Sequence, residues 1–241
     1  MNARMLRIAL AALALSVPPA RAQDANAPAR SASEQDYYRI VTLPIPEHVA
    51  LEVGGLAFRP DGTLAVATRH GEVWIVHNPY MQDGRLPEYT LFAEGLHEPL
   101  GLAYRDDALY TNQRGELTRL VDTDGDDVAD RYDAIVSWPL DGNYHEYSYG
   151  PLFREDGSML VTLNLGWIGR GASLSKWRGW LLEVSPDGKV TPIATGLRSP
   201  AGFTMNAEGD IFYAENQGDW VGSGRVTHLE RGDFAGNPAG L

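Results

Sequence analysis

The stretch GLAFRPDGTLAVAT, residues 55–68, reads as two short apolar strands joined by a Pro-Asp-Gly turn. It has three partners further along: GLAYRDDALYT (101–111), GPLFREDGSMLVT (150–162) and GFTMNAEGDIFYA (202–214). The leading glycines Gly55, Gly101, Gly150 and Gly202 are 46, 49 and 52 residues apart. Further apolar strands follow the hairpins at Glu72–Val76, Glu116–Val121, Trp180–Val184 and Val226–Glu230. Four short strands in every period of about 50 residues predict the blades of a β-propeller, an all-β fold. A β-sandwich is the rival, but it does not require the same turn at the same place in a regular period. Four copies fall in the chain, and the last has only 40 residues from Gly202 to Leu241. The expectation is therefore an incomplete ring of the six-bladed type, with about four blades present and strand edges left unpaired.

Composition narrows the function classes. The 241 residues include no cysteine, which excludes thiolate zinc sites and covalently attached c-type haem in this stretch. A net charge of −12, with two lysines against eighteen arginines, argues against nucleic-acid or anionic-membrane binding. Residues 1–22 read as a secretory signal: Arg4 and Arg7, an apolar run from Ile8 to Val17, then Ala20-Arg21-Ala22 before Gln23. The apolar run is too short to span a bilayer, so no membrane span is expected after cleavage. Cleavage removes Arg4, Arg7 and Arg21 and no acid, moving the net charge from −12 to −15. Residues 23–36 read as a flexible linker and 37–241 as the propeller domain, in a periplasmic or secreted protein.

Blade geometry sorts the polar residues. The loop entering a first strand and the loop leaving the second share one face, with the Asp-Gly turns opposite. Entering loops carry GLHEPLG (95–101) and GLRSPAG (196–202), so His97 and Arg198 hold equivalent places, four residues before a blade glycine. The third entering loop is NYHEYSYG (143–150), with His145. Leaving loops bring Asn112-Gln113-Arg114, Asn164-Leu165-Gly166 and Asn216-Gln217-Gly218-Asp219. Histidines, arginines and amides at a shared mouth describe a site for a polar, anionic group. His48, His70, His77 and His228 show no metal-ligand spacing and read as structural. The acid run 121–133 places carboxylates at positions 1, 3, 5, 9 and 12 counted from Asp122, the spacing of a calcium loop; Asp122, Asp124 and Asp126 are its first candidate ligands. Asp127 stands where that loop needs glycine, and Gly125 comes two places early.

These residues resemble the soluble PQQ-dependent glucose/sorbosone (aldose sugar) dehydrogenase superfamily of six-bladed propellers, from about Leu51 to Leu241. The likeness rests on His145 with the following GPLFREDG (150–157), and on GLRSPAG (196–202), ENQG (215–218) and RGDFAGNP (231–238), in the same order along the chain. It implies His145 as the general base that takes the proton of a sugar hydroxyl while PQQ accepts hydride. Arg198 would pair with a cofactor carboxylate, with His97, Gln113 and Gln217 beside the cofactor. Backbone carbonyls of Gly218 and Asp219 would hold calcium. A cytochrome c domain or protein would be the electron acceptor. The pattern departs from the family at Tyr144, Ser199, Asn164-Leu165-Gly166 and Asp219, which thins the cofactor's ligands. Two other classes stay open: a non-catalytic propeller that binds a glycan or a partner, and a calcium-dependent lactonase using Glu215 and Asn216.

Overall fold

A computed structural model describes residues 32–38, 40–166, 175–216 and 222–240. The described residues from 42 onward form one compact unit, and those before it stand by themselves. The expected signal lies outside the described residues. The described part of the expected linker holds a short 3-10 turn at Glu34–Asp36, where the Asp36 carboxylate accepts from the N–H and hydroxyl of Ser33.

Among the described residues, fifteen strands form four antiparallel sheets, each a meander in chain order. The first blade holds β1 (Val53–Phe58), β2 (Leu64–Thr68), β3 (Val73–His77) and β4 (Glu88–Ala93). The second holds β5 (Leu102–Arg105), β6 (Ala108–Asn112), β7 (Glu116–Val121) and β8 (Arg131–Ser137). The third holds β9 (Ser148–Phe153), β10 (Met159–Leu163), β11 (Trp180–Val184) and β12 (Val190–Thr195). In the fourth are β13 (Gly202–Met205), β14 (Ile211–Glu215) and β15 (Arg225–Leu229). This is the propeller the repeat predicts, and among the described residues its helical content is confined to 3-10 turns. The first strands pack in the order β1, β5, β9, β13.

Alternation along each strand explains how the blades adhere. Successive residues point to opposite faces of a sheet, so each strand serves two neighbouring interfaces. In the third blade, Met159, Val161 and Leu163 join Leu117 and Trp138 of the second. Leu160, between them, joins Ile211, Tyr213 and Leu229 of the fourth. Likewise Leu109 and Leu120 face Ala65, Ala67 and Ile75 of the first blade, while Leu117 faces the third. Burying one such leucine contributes about 2 kcal/mol. At the two ends of the series the first strands are more open: Leu56 and Phe58 on β1 are exposed, as is Thr204 on β13.

The leading glycines have a steric reason. A Cβ on Gly55 would lie 2.5 Å from the carbonyl carbon of Gly101, and one on Gly101 would lie 2.3 Å from the carbonyl oxygen of Gly150. Gly101 also has φ +120°, which L side chains rarely adopt. The Gly150 N–H donates to the carbonyl of Leu100 across the same gap. First strands therefore meet backbone to backbone. The Asp-Gly turns at the other end are tied locally: Asp61 accepts from the N–H and hydroxyl of Thr63, and Asp156 does the same for Ser158.

Candidate active site

The entering loop of the third blade and those flanking it build a cavity of about 340 Å³. His145, Tyr147 and Tyr149 line one wall; Asn164, Leu165, Gly166, Arg198, Ser199 and Asn216 line the rest. The alternation that buries strand residues also works here. Glu146 and Ser148 turn into the protein, and His145, Tyr147 and Tyr149, which alternate with them, turn to the cavity.

The His145 loop is held from two sides. From the second blade, Arg114 donates to the carbonyls of Asn143 (2.8 Å) and Glu146 (3.4 Å), and its guanidinium lies 5.1 Å from the centre of the Tyr147 ring. Arg114 is itself paired with Glu98 at 3.0 Å, and Glu98 with Arg69 at 3.1 Å. From within, Arg178 (3% exposed) donates to the carbonyls of Tyr147, Arg114 and Pro139 and pairs with the fully buried Glu146 at 3.5 Å. Desolvation pulls the Arg178 pKa down to about 10, with the Glu146 carboxylate opposing the shift. Glu146 in turn accepts the N–H of Asp141 at 2.9 Å, and the His145 N–H donates to the Asn143 side chain at 3.0 Å. The Tyr144 ring sits 3.9 Å from the imidazole, centre to centre.

The entering loops of the second, third and fourth blades are also tied to the end of the second strand of their own blade. Gln113 accepts the N–H of His97. Asn164 accepts that of Tyr147 at 2.6 Å. Glu215 accepts from Arg198 and Ser199, both at 2.8 Å, and from Asn216 at 3.0 Å. A carboxylate so engaged orients the Arg198 loop, and both of its oxygens already have donors. The Tyr149 phenol is pushed up to about 12, first by burial and then by Tyr147, with a Ser199 hydrogen bond pulling back. It stays a neutral hydroxyl in the cavity wall at neutral pH.

The structure thus brings His145 and Arg198, two blades' residues, to one cavity. His97 and Gln113 do not line it. His97 is exposed. Buried Gln113 directs its amide N–H groups to Glu116 and Thr118. Gln217, Gly218 and Asp219 lie outside the described residues.

In the acid run, the structure gathers Asp122, Asp124 and Asp130, whose carboxylates lie within 4.8 Å of one another, and leaves Asp126 out. Asp122 accepts the N–H groups of Asp124, Gly125 and Asp127, Asp130 those of the Thr123 backbone and hydroxyl, and Asp126 that of Val128. Asp133 sits in β8 and pairs with Arg131 at 3.0 Å. Repulsion from Asp126 raises the Asp124 pKa. The loop is bonded within itself and, through Asp127 and Ala129, to Arg59, His77 and Phe92 of the first blade, at the turn end of the second blade.

Arg114 stands on the face that its leaving loop predicts, whereas Glu146, Tyr147, Tyr149 and Arg178 are missed by sequence reasoning. The spacing of His145, Tyr147 and Tyr149, two apart, is the signal that finds the tyrosines. Arg178 follows its partner Glu146 by 32 residues, and no local pattern announces it.

A family profile matches residues 60–239, most of the propeller. The chain belongs to the family described as a domain of unknown function (DUF7133). A search of curated proteins finds no match. Among solved structures, this member of the family is similar to an oxidoreductase described as a glucose dehydrogenase from Thermus thermophilus, with 23% identity and a TM-score of 0.60 over 79% of this chain and 65% of that one. The PQQ-bound aldose sugar dehydrogenase of Streptomyces coelicolor matches at 16% identity and a TM-score of 0.63, over 80% and 64% of the two chains. The soluble aldose sugar dehydrogenase of Escherichia coli matches at 14% identity and 0.59, over 78% and 63%. At these identities the likeness is one of fold, and it is the fold of PQQ-dependent sugar dehydrogenases. The chain spans less than two thirds of the length of these relatives.

Proposed function

We propose that this chain is the propeller of an exported, PQQ-dependent oxidoreductase acting on a sugar or related alcohol, with His145 as general base. The observation that carries this reading is the single cavity of about 340 Å³ lined by His145 and Arg198, in a fold shared with a PQQ-bound aldose sugar dehydrogenase. The residues present suit an acidic, planar group. Arg198 offers a guanidinium to a carboxylate, Tyr149 a hydroxyl that stays protonated, and Tyr147 an aromatic wall. PQQ supplies the two-electron acceptor for a hydride. The chain supplies the rest. Glu215 holds Arg198 in place through the backbone, while Arg114 and Arg178 hold the His145 loop. His145 accepts the proton of the substrate hydroxyl, so the carbon that gives up hydride leaves as a carbonyl.

Calcium belongs to the same proposal, at the backbone carbonyls of Gly218 and Asp219. Export through residues 1–22 and onward electron transfer to a cytochrome c domain or protein complete it. Among the described residues, no helix is long and apolar enough to cross a membrane.

The test is a titration of the full chain with PQQ and calcium, followed by quenching of tryptophan fluorescence, and then dye reduction with a panel of aldoses and alcohols. R198A should loosen PQQ at least tenfold, about 1.4 kcal/mol. H145A should leave PQQ binding unchanged and lower dye reduction by about 100-fold or more. Failure of PQQ to bind, or binding indifferent to R198A, overturns the reading. Mature protein recovered outside the cytoplasm should begin at Gln23.

A further inference from the structure

A second and larger cavity, about 560 Å³, lies between the second and third blades at their turn ends, opposite the His145 cavity. Its size falls within the range of about 300–1,000 Å³ typical of small-molecule sites. Tyr110 and Phe153 meet edge to face in its wall, 4.9 Å apart at 86°. Arg105 lies 5.1 Å from the Phe153 ring centre and is fixed there by the carbonyls of Arg154 and Glu155.

Arg119 is different. Its backbone stands opposite Asp133 across the β7–β8 ladder, yet Asp133 takes Arg131 instead, at 3.0 Å. The Arg119 guanidinium lies 6.0 Å from the Tyr110 ring centre, and its buried Nε has no hydrogen-bond acceptor among the described residues. Its Nε is shielded from the cavity, so the donors it offers a ligand there are its Nη groups, in a concave site with an aromatic wall.

The charges around it choose the ligand class. Asp106, Asp133 and Asp156 line the same cavity as Arg105 and Arg119, and Arg131 pairs with Asp133, so its surroundings carry no net positive charge, in a chain of −12. An anion is disfavoured there. A neutral polyol matches every wall: its hydroxyls accept from Arg119 and donate to the aspartates, and its C–H face lies on Tyr110. We propose that this inter-blade cavity is a binding site for a neutral saccharide, separate from the His145 cavity.

The experiment is calorimetric titration of the full chain with methyl glucosides, cellobiose and a wider neutral sugar panel, with glucuronate and inorganic phosphate as anionic probes. A neutral saccharide should bind. R119M, which keeps most of the side-chain bulk, should weaken that binding at least tenfold, and R198A at the other cavity should leave it unchanged. D133N gives a second reading on the other wall, with weakening expected, should R119M fail to fold. The proposal is overturned if no neutral sugar binds, if binding ignores the cavity variants, if R198A removes it, or if an anion binds there in preference. PQQ binding is measured separately, so neither proposal's failure carries the other with it.

Discussion

Replacing Gly101 by alanine would place a methyl carbon 2.3 Å from the carbonyl oxygen of Gly150, and 2.8 Å from that residue's nitrogen and carbonyl carbon. All three are backbone atoms of the next blade, so no side chain can swing aside. Relief requires moving β5 from β9 by about 1 Å, against the Gly150 to Leu100 hydrogen bond in the same gap. Overpacking of this kind costs about 1–3 kcal/mol. Alanine at φ +120° adds a backbone strain of about 1–3 kcal/mol. Together they give about 4 kcal/mol. With a urea slope of about 2 kcal/mol/M, the unfolding midpoint should fall by about 2 M. Two controls separate the contributions. Gly62 has φ +85° and nothing within 4 Å of an added Cβ, so G62A reports strain alone. Gly55 has an ordinary φ but a Cβ contact of 2.5 Å with Gly101, so G55A reports the inter-blade contact alone. Urea unfolding followed by circular dichroism should rank G101A as the least stable, near the sum of the other two. If G55A unfolds at the wild-type midpoint, or G101A at that of G62A, the blades do not meet through their glycines and the packing described for the first strands is wrong.

Three further outcomes are expected. Tyr149 is the phenol pushed up to about 12, so in a pH titration followed at 295 nm Y149F should lack the last tyrosinate to form. The folded state holds this proton more tightly than the unfolded chain. Stability relative to Y149F should therefore be constant below pH 10 and decline by about 3 kcal/mol as pH climbs from 10 towards 12. R178M leaves the Glu146 carboxylate buried without its cation and should cost about 3–5 kcal/mol in urea unfolding, whereas R178M/E146L should recover much of the loss. E215A removes a buried acceptor from three backbone N–H groups and should cost about 2–4 kcal/mol, while raising hydrogen exchange at Arg198 and Ser199.

Where the sequence is periodic, its reading and the structure coincide. The hairpin of residues 55–68 is β1 and β2, and Glu116–Val121 and Trp180–Val184 recur with the same ends. Val73–His77 and Arg225–Leu229 differ by one residue from expectation, within the ordinary fraying of strand ends. Both His145 and Arg198 are assigned to the entering-loop face by strand direction alone, a property that needs no tertiary contact. The amides are another matter. Gln113 and Asn164 stand on the expected face, yet bond to the backbone of their own blades. Sequence position tells which end of a strand a side chain occupies, not whether a nearer N–H claims it. The acid run shows the same limit: calcium-loop spacing groups Asp122, Asp124 and Asp126, but the Gly125 turn brings in Asp130 instead. Burial of the Glu146–Arg178 pair depends on two segments 32 residues apart, and nothing local encodes it.

Gln113, Asn164 and Glu215 each anchor a loop to a strand of the same sheet, while Arg69, Glu98 and Arg114 tie neighbouring blades to one another, so the mouth is fastened both within and between blades. Letters at a loop tip can then change locally where they spare both the anchoring oxygen and the Arg69–Glu98–Arg114 series that joins one tip to the next. A new guest can be accommodated at the remaining tip positions while this lattice of anchors stays as it is.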